Sequence, residues 1–531
     1  MKEDWTTPIP ANVAAWHFLS RTSFGPQAAD VERVRRGGIE RYLDEQLHPE
    51  KIDDSEVDRK IASLPTLTMG AAELMEDFPP RKQQTNPASR LPMREGNAAA
   101  TPSEGGASMQ AESPMQPAME DGRPRQIILE LAREQFWRAA YGQRQLQEVM
   151  VHFWMNHFNI YAAKGVDKWL LTSFEQDAIR PNALGKFDAL LAATAQSPAM
   201  LFYLDNWLSV SPNLASGGFF ARPANRPPAA AERRGLNENY GRELMELHTL
   251  GVDGGYTQHD VREVARCFTG WTIDRPRQGG GFIFRPRLHD DGEKVVLGHK
   301  IKAGGGVEDG MEVLQLLAAH PSTAHFISLK LCRHFVADDP PAAVVDRATH
   351  TFQQTQGDIR AVLKSILTSR EFNSQAAFRA KVKSPFEVVA SSLRTLDGET
   401  DGGAPLMMSI VRMGQPLFLY QAPTGFSDRA SSWINSGTLL ARMNFALALA
   451  ANRIRGTRLT FPGSTPADDG QTVLDELARR TLGGSVSPET RAAVLKSLDN
   501  LKGVAGGDLR AVPKTTVVAA LLLGSPEFQR R

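Results

Sequence analysis

Residues 237–271 read NENYGRELMELHTLGVDGGYTQHDVREVARCFTGW, and this stretch decides the kind of fold to expect. Tyr240, Leu244 and Leu247 recur at helical spacing and form the apolar face of a helix over 237–250. Asn239, Arg242, Glu243 and Glu246 collect on the other side. Gly251 ends the helix, since glycine takes the left-handed exit conformation without strain, and Gly254-Gly255 makes a tight turn. Thr257 and Asp260 then have capping-box spacing for a second helix that buries Val261, Val264 and Phe268. The result is an αα-hairpin with both ends specified.

The same periodicity fills most of the chain on either side. Helices are expected over 126–141, 144–158, 166–180 and 184–196 upstream. Downstream they are expected over 308–319, 322–336, 341–355, 358–369, 382–396, 436–452, 471–482, 488–500 and 513–523. Two of them end alike, in LKSILTSREF (363–372) and AALLLGSPEF (519–528), an echo that reads as a shared helix-exit device. Strand signals are few: FIFRP (282–286) and KVVLG (294–298) flank HDDGE, where Asp291-Gly292 is good hairpin-turn chemistry. Residues 80–125 are rich in Pro, Ala, Ser, Gly and Met and too poor in apolar surface to offset chain entropy, which predicts a disordered insertion. Residues 211–236 read as a long surface loop, a class that includes lids. The expected fold class is therefore mainly α, a multi-helix globular body with one small β-hairpin excursion near 282–298. Residues 1–79 supply N-terminal helices of that body, 126–453 its main part, and 454–531 a C-terminal helical segment packed on it.

Composition narrows the function classes. The chain has 531 residues, 41% of them hydrophobic, enough for a sizeable core. A net charge of +1 argues against a general nucleic-acid binder, which needs a basic excess to displace counterions. No apolar run reaches the roughly 20 residues of a membrane span. Two cysteines, Cys267 and Cys332, exclude a disulfide framework or a cysteine-based zinc cluster. The beginning of the sequence has no continuous apolar signal segment and no twin arginine, so a soluble, cytoplasmic protein is expected. A Walker loop, a dinucleotide glycine fingerprint, HExxH and GxSxG are all missing.

Four segments carry residues suited to chemistry. In RQLQEVMVHFWMNHFNI (144–160), His157 extends the apolar stripe of Leu146, Met150 and Phe153, as a core histidine or as an acid–base group. Glu148, His152 and Asn156 stack on a different face, suited to a ligand or to solvent. His152 and His157, five apart, diverge by about 140° and cannot chelate one ion from a regular helix. In the hairpin, Glu243 and Glu246 beside Arg242 suit acid–base work, a divalent metal or a buried ion-pair network, while His248 lies roughly 160° around the axis from Glu246. His289, Asp290, Asp291 and His299 offer metal ligands or simply a turn. Residues 414–446 combine a Pro/Gly/aromatic loop with Trp433, Asn435, Arg442 and Asn444, a set suited to carbohydrate or peptide recognition or to plain packing.

These segments, with SFEQDAIRPNALGKFDALLAA, SPAMLFYLDN, KLCRHFVADDPP and GQPLFLYQAPTGFSD, resemble the bacterial domain-of-unknown-function family numbered 1800. The likeness runs from about residue 12 to the end, outside 80–125. It implies little chemistry. It does imply an exported, periplasmic address as the alternative to the cytoplasm, and a partner from a second exported family of unknown function, numbered 1501.

Two functions are expected from the residues. One is an enzyme, with a divalent metal as its optional cofactor, acting on a polar or anionic substrate such as a glycan. Glu243, Glu246, His157 and His248 would be catalytic, and Asn156, Asn239, Tyr240, Arg242 and Trp433 would bind substrate. His152, His289 and Asp290 are weaker metal-ligand candidates. Asn, His, Tyr and Arg on a helical scaffold is also the set used by uronate-polysaccharide lyases, a likeness of residue types only. The other is a non-catalytic binding or assembly protein that works with a partner. The enzyme reading requires helices 144–158 and 237–250 to turn their acids and imidazoles into one hollow.

Overall fold

Helix Gln145–His157 forms where the periodicity places it, and Leu146, Met150, Phe153 and His157 are all buried along one side. Each large apolar side chain there stabilises the fold by about 1.5–3 kcal/mol. A computed structural model describes residues 4–79, 124–216, 235–461, 469–503 and 513–531. All but the last two residues of the expected 80–125 insertion, and most of the 211–236 loop, lie outside the described residues.

The chain is mainly α. Short N-terminal helices from Ala11–Thr22 to Ala71–Asp77 precede Arg125–Tyr141 and Gln145–His157. Phe187–Gln196 follows, then the hairpin and a run from Val307–Ala319 through Ile359–Leu367. Pro385–Thr395, Ala404–Arg412 and Ser436–Ala450 complete the wall around the second half of the core. Near the C-terminus, Gly470–Leu482 and Ser436–Ala450 both pack on Lys514–Gly524. One continuous core cluster runs from Ala15 to Phe528, and Leu74, Ile127 and Trp169 make a small satellite. Among the described residues, no helix is long and apolar enough to cross a membrane.

The exit echo is a real device. Ser369 Oγ donates to Ile366 O and accepts from Phe372 N, and Ser525 does the same with Leu522 O and Phe528 N. Two helices depart from regular winding. After Asp167–Ser173, the Arg180 N–H reaches back five residues to Glu175 O, and after Glu238–Glu243, Leu250 N reaches Met245 O at 2.8 Å. Each wide turn delays the rotation of the face. In the second, the inward set becomes Tyr240, Leu244, Met245, His248 and Thr249, and Leu247, expected in the apolar stripe, is half-exposed.

The strand segments are real but pair differently from expectation. Phe282–Phe284 pairs with Trp271–Ile273, Lys294–Val296 pairs with His299–Ile301, and a third two-stranded sheet joins Glu399–Thr400 to Thr457–Arg458. HDDGE is not a hairpin turn because its side chains are held elsewhere. Asp290 takes both ends of the Arg266 guanidinium at 2.9 and 3.0 Å, and His289 is fixed between Thr269 O and Asp309. The tight turn is instead Leu297-Gly298, with φ of 51° and 77°, values that suit a two-residue hairpin loop.

Candidate functional site

Several of the polar side chains picked out by sequence meet at one hollow, and it is not built around the hairpin. Helix Gln145–His157 brings His152, Phe153 and Asn156 to it, and helix Pro321–Phe335 brings His334. Lys381 and Glu387 come from the segment entering Pro385–Thr395, whose start is set by a Ser384–Glu387 capping box with proline in the first turn. Residues 529–531 pair antiparallel with 381–383, through Arg531 N to Lys381 O at 2.8 Å and Lys383 N to Gln529 O at 2.9 Å, and so insert the Arg531 side chain. The loop carrying Phe426, Asp428 and Trp433 closes the rim. The cavity measures about 60 Å³, and its open side faces outward.

Asn156 holds that loop. Its side-chain amide donates to Phe426 O at 2.9 Å and its carbonyl accepts from Phe426 N at 2.7 Å, as a neighbouring strand would. The approach is so close that a Cβ on Gly425, whose φ is 67°, would lie 2.2 Å from Asn156 O. Trp433 donates its indole N–H to Ser427 O at 3.1 Å, with its ring 5.7 Å from Phe426. Asp338 anchors both sides, taking the Lys381 ammonium and accepting from Ala430 N at 2.7 Å.

The electrostatics are uneven across the hollow. Arg531 pairs with Glu387 at 2.9 Å. Burial would raise the Glu387 carboxyl, but Arg531, the Ser384 N–H, His152 and Lys381 together bring it below its usual range. Burial draws His152 down to about 4, and its ring stacks on Phe386 at 4.6 Å. His334 is pushed well down by burial first, then by Arg531, Lys381, His152 and Arg21. Among the described residues, its Nε2 and the Arg531 Nε have no protein partner. At neutral pH the hollow thus holds two uncharged imidazoles beside two ion pairs, Arg531 with Glu387 and Lys381 with Asp338.

The remaining sequence candidates lie elsewhere. His157 and His248 do meet: their rings are 6.2 Å apart, and His157 Nε2 lies 3.1 Å from His248 O. Both are buried and held low by burial and by Lys330, His248 to about 3. Glu243 and Glu246 do not join them, because they occupy the opposite, half-exposed side of the same helix. Burial and Glu246 push the Glu243 carboxyl up against the pull of Arg242, and Glu246 accepts from the Tyr256 hydroxyl at 2.9 Å. Arg242 donates to Gln258 at 2.8 Å, Asn239 donates to Leu204 O at 3.3 Å, and Tyr240 is a core residue against Phe268. Arg442 is likewise buried, donating to Gln529 and Lys383 O.

Glu148 is not a free ligand. It pairs with Arg180 at 2.6 Å, and Arg180 also takes Glu175 at 2.6 Å, a contact that ties helix Gln145–His157 to the first wide turn. His289 and Asp290 spend their polar atoms on Thr269, Asp309 and Arg266. Among the described residues, no three His, Cys, Asp or Glu side chains are grouped to hold a metal ion. Cys267 and Cys332 are buried.

Sequence reasoning missed His334, Lys381, Glu387 and Arg531. KSPFE (383–387) carried a readable signal, the capping box, but nothing local says that its glutamate faces an arginine from the far end of the chain. The family described as "Protein of unknown function (DUF1800)" matches residues 17–530. No curated protein and no solved structure matches the chain.

Proposed function

Given that the chain belongs to the DUF1800 family, whose function is unknown, we propose that it is an enzyme whose acid–base centre is the hollow around His334. The substrate is polar and anionic, such as an acidic glycan. The observation that carries this reading is the pair of neutral imidazoles, His152 and His334, beside Arg531 and Lys381 in one open cavity. Perturbed titratable groups gathered in a cleft are the usual mark of a reactive site. About 60 Å³ admits a carboxylate rather than a whole sugar, so the acid group enters and the rest of the substrate lies toward Trp433.

The charge pattern also supplies a switch. An incoming carboxylate adds negative charge beside His334, which raises the imidazole toward its ordinary value and makes it a better base. Asn156 positions the rim loop, and Glu387 orients Arg531. The reading keeps Asn156, His152 and Trp433 from the sequence. It moves the acid–base role from Glu243, Glu246, His157 and His248 to His152 and His334.

The test is a screen of the purified protein against acidic and neutral polysaccharides, scored by product mass. Turnover of an acidic polymer that falls at least 100-fold in His334→Ala and in Lys381→Met, with unchanged unfolding midpoints, supports the reading. Turnover that survives both substitutions sinks it.

A second reading, a binding or assembly protein working with a partner, is favoured by one observation. Ile434, Leu439, Leu440, Met443 and Leu447 leave an exposed apolar face on and beside helix Ser436–Ala450. Under that reading Leu440→Glu abolishes complex formation and the His334 variant leaves it intact.

A further inference from the structure

A second concavity lies between helix Arg125–Tyr141 and helix Ala404–Arg412, and it shares no lining residue with the hollow. Its enclosed volume is about 100 Å³. The floor is buried Ala132, Ala162 and Met407, and the walls are half-exposed Leu129, Met408 and Leu417. Among the described residues lining it, the charged side chains are Arg125 and Lys168. Arg125 is exposed, and the Lys168 ammonium stands 5.3 Å from the Trp169 ring.

We propose that this slot binds a single-chain amphiphile with an anionic head, of the class of a free medium-chain fatty acid. The largely apolar walls favour an apolar ligand body, since a polar one would lose water for few hydrogen-bond partners. Arg125, exposed at the mouth, selects the head group. Methionines suit a flexible chain, since their unbranched side chains adapt to it. An enclosed cavity of about 150 Å³ takes the six carbons of benzene, so about 100 Å³ takes roughly four. The rest of a longer chain, and its carboxylate, lie in the mouth near Arg125. Each methylene that enters tightens binding roughly 4-fold, and the gain stops when the enclosed part is full.

The experiment uses the full-length protein labelled at methionine methyl carbons, with Met407 and Met408 assigned through Met407→Leu and Met408→Leu. Butanoate, hexanoate and octanoate are titrated, with octylamine as the head-group control. The expected result is saturable movement of the Met407 and Met408 signals, affinity that rises from butanoate to hexanoate and then levels off, and octylamine at least 10-fold weaker than octanoate. Arg125→Gln weakens octanoate roughly 2- to 5-fold, the range of a solvent-exposed ion pair. Met408→Glu, at a half-exposed wall position, abolishes binding. Silent Met407 and Met408 signals at millimolar octanoate overturn the proposal, and so does equal binding of octylamine. Cosedimentation with phosphatidylglycerol vesicles that moves the same two signals would assign the slot to membrane lipid and overturn the free-acid reading. Turnover at the His334 hollow is not expected to change in either variant, so the two proposals fail separately.

Discussion

Among the described residues, three buried carboxylates, Glu134, Glu148 and Glu175, face two guanidiniums, Arg138 and Arg180, and the exposed Asp58 also takes Arg138. One carboxyl in such a group gives up its charge most easily, and Glu175, with a fully buried side chain, is the one. Burial pushes it up from 4.5 to about 7, against the pull of Arg180 and with a push from Glu134. A raised acid destabilises the fold only where the unfolded chain is ionised. Its contribution is intact below about 4.5 and is lost as pH rises through about 7. At 1.36 kcal/mol per unit, the loss is about 3 kcal/mol, and most of it is complete by neutral pH. Glu175→Gln removes the titration, leaves two buried carboxylates for two arginines, and keeps the shape. Urea unfolding followed by tryptophan fluorescence from pH 4.5 to 9 reads the effect. The variant should match the wild type at pH 4.5 and exceed it by about 3 kcal/mol above pH 8. A constant gap across that range, or one that shrinks as pH rises, refutes the argument.

Two further outcomes follow from groups already described. His17, His152, His157, His248 and His334 are all drawn down by burial first. A depressed histidine stabilises the fold above about 6.5 and loses that contribution as pH falls, so none of the five ring signals should titrate between pH 5.5 and 8 in carbon-edited NMR spectra. A midpoint near 6.5 for any of them contradicts its assigned surroundings. Gly425→Ala should cost about 1–3 kcal/mol through backbone strain and the clash with Asn156 O. Gly281→Ala, with no atom within 4 Å of the added Cβ, should stay within about 0.5 kcal/mol in the same thermal unfolding assay, and equal effects would contradict the close approach.

What could be read from sequence was local. Gly251, with φ of 83°, and the reciprocal Thr257–Asp260 cap end and begin the hairpin helices as their residue types dictate. The serines of the repeated exit motif close the same two hydrogen bonds in both copies. Leu247 was misplaced because one wide turn, invisible to a fixed helical period, rotates everything after it. The HDDGE turn was misread because Arg266, 24 residues before Asp290, captures that carboxylate. For the hollow, His152, Asn156 and Trp433 stood out as residue types, but their meeting point did not. It needs His334 from a helix whose polar residues look ordinary, and an arginine nearly two hundred residues beyond it. The polar density of 237–250 drew attention for a different reason. Its charges answer local neighbours, Gln258, Tyr256 and Arg262, across the hairpin.

The arrangement around His334 spans positions 152 to 531, so deletion mapping cannot find it. Any fragment that lacks either flank loses a wall, and its silence would not separate a lost wall from a lost fold. Closing contacts so far apart in the chain costs more loop entropy than forming the local helices. A chain with its helices formed but residues 529–531 undocked would keep nearly all of its helical circular dichroism while lacking the Arg531 wall of the hollow.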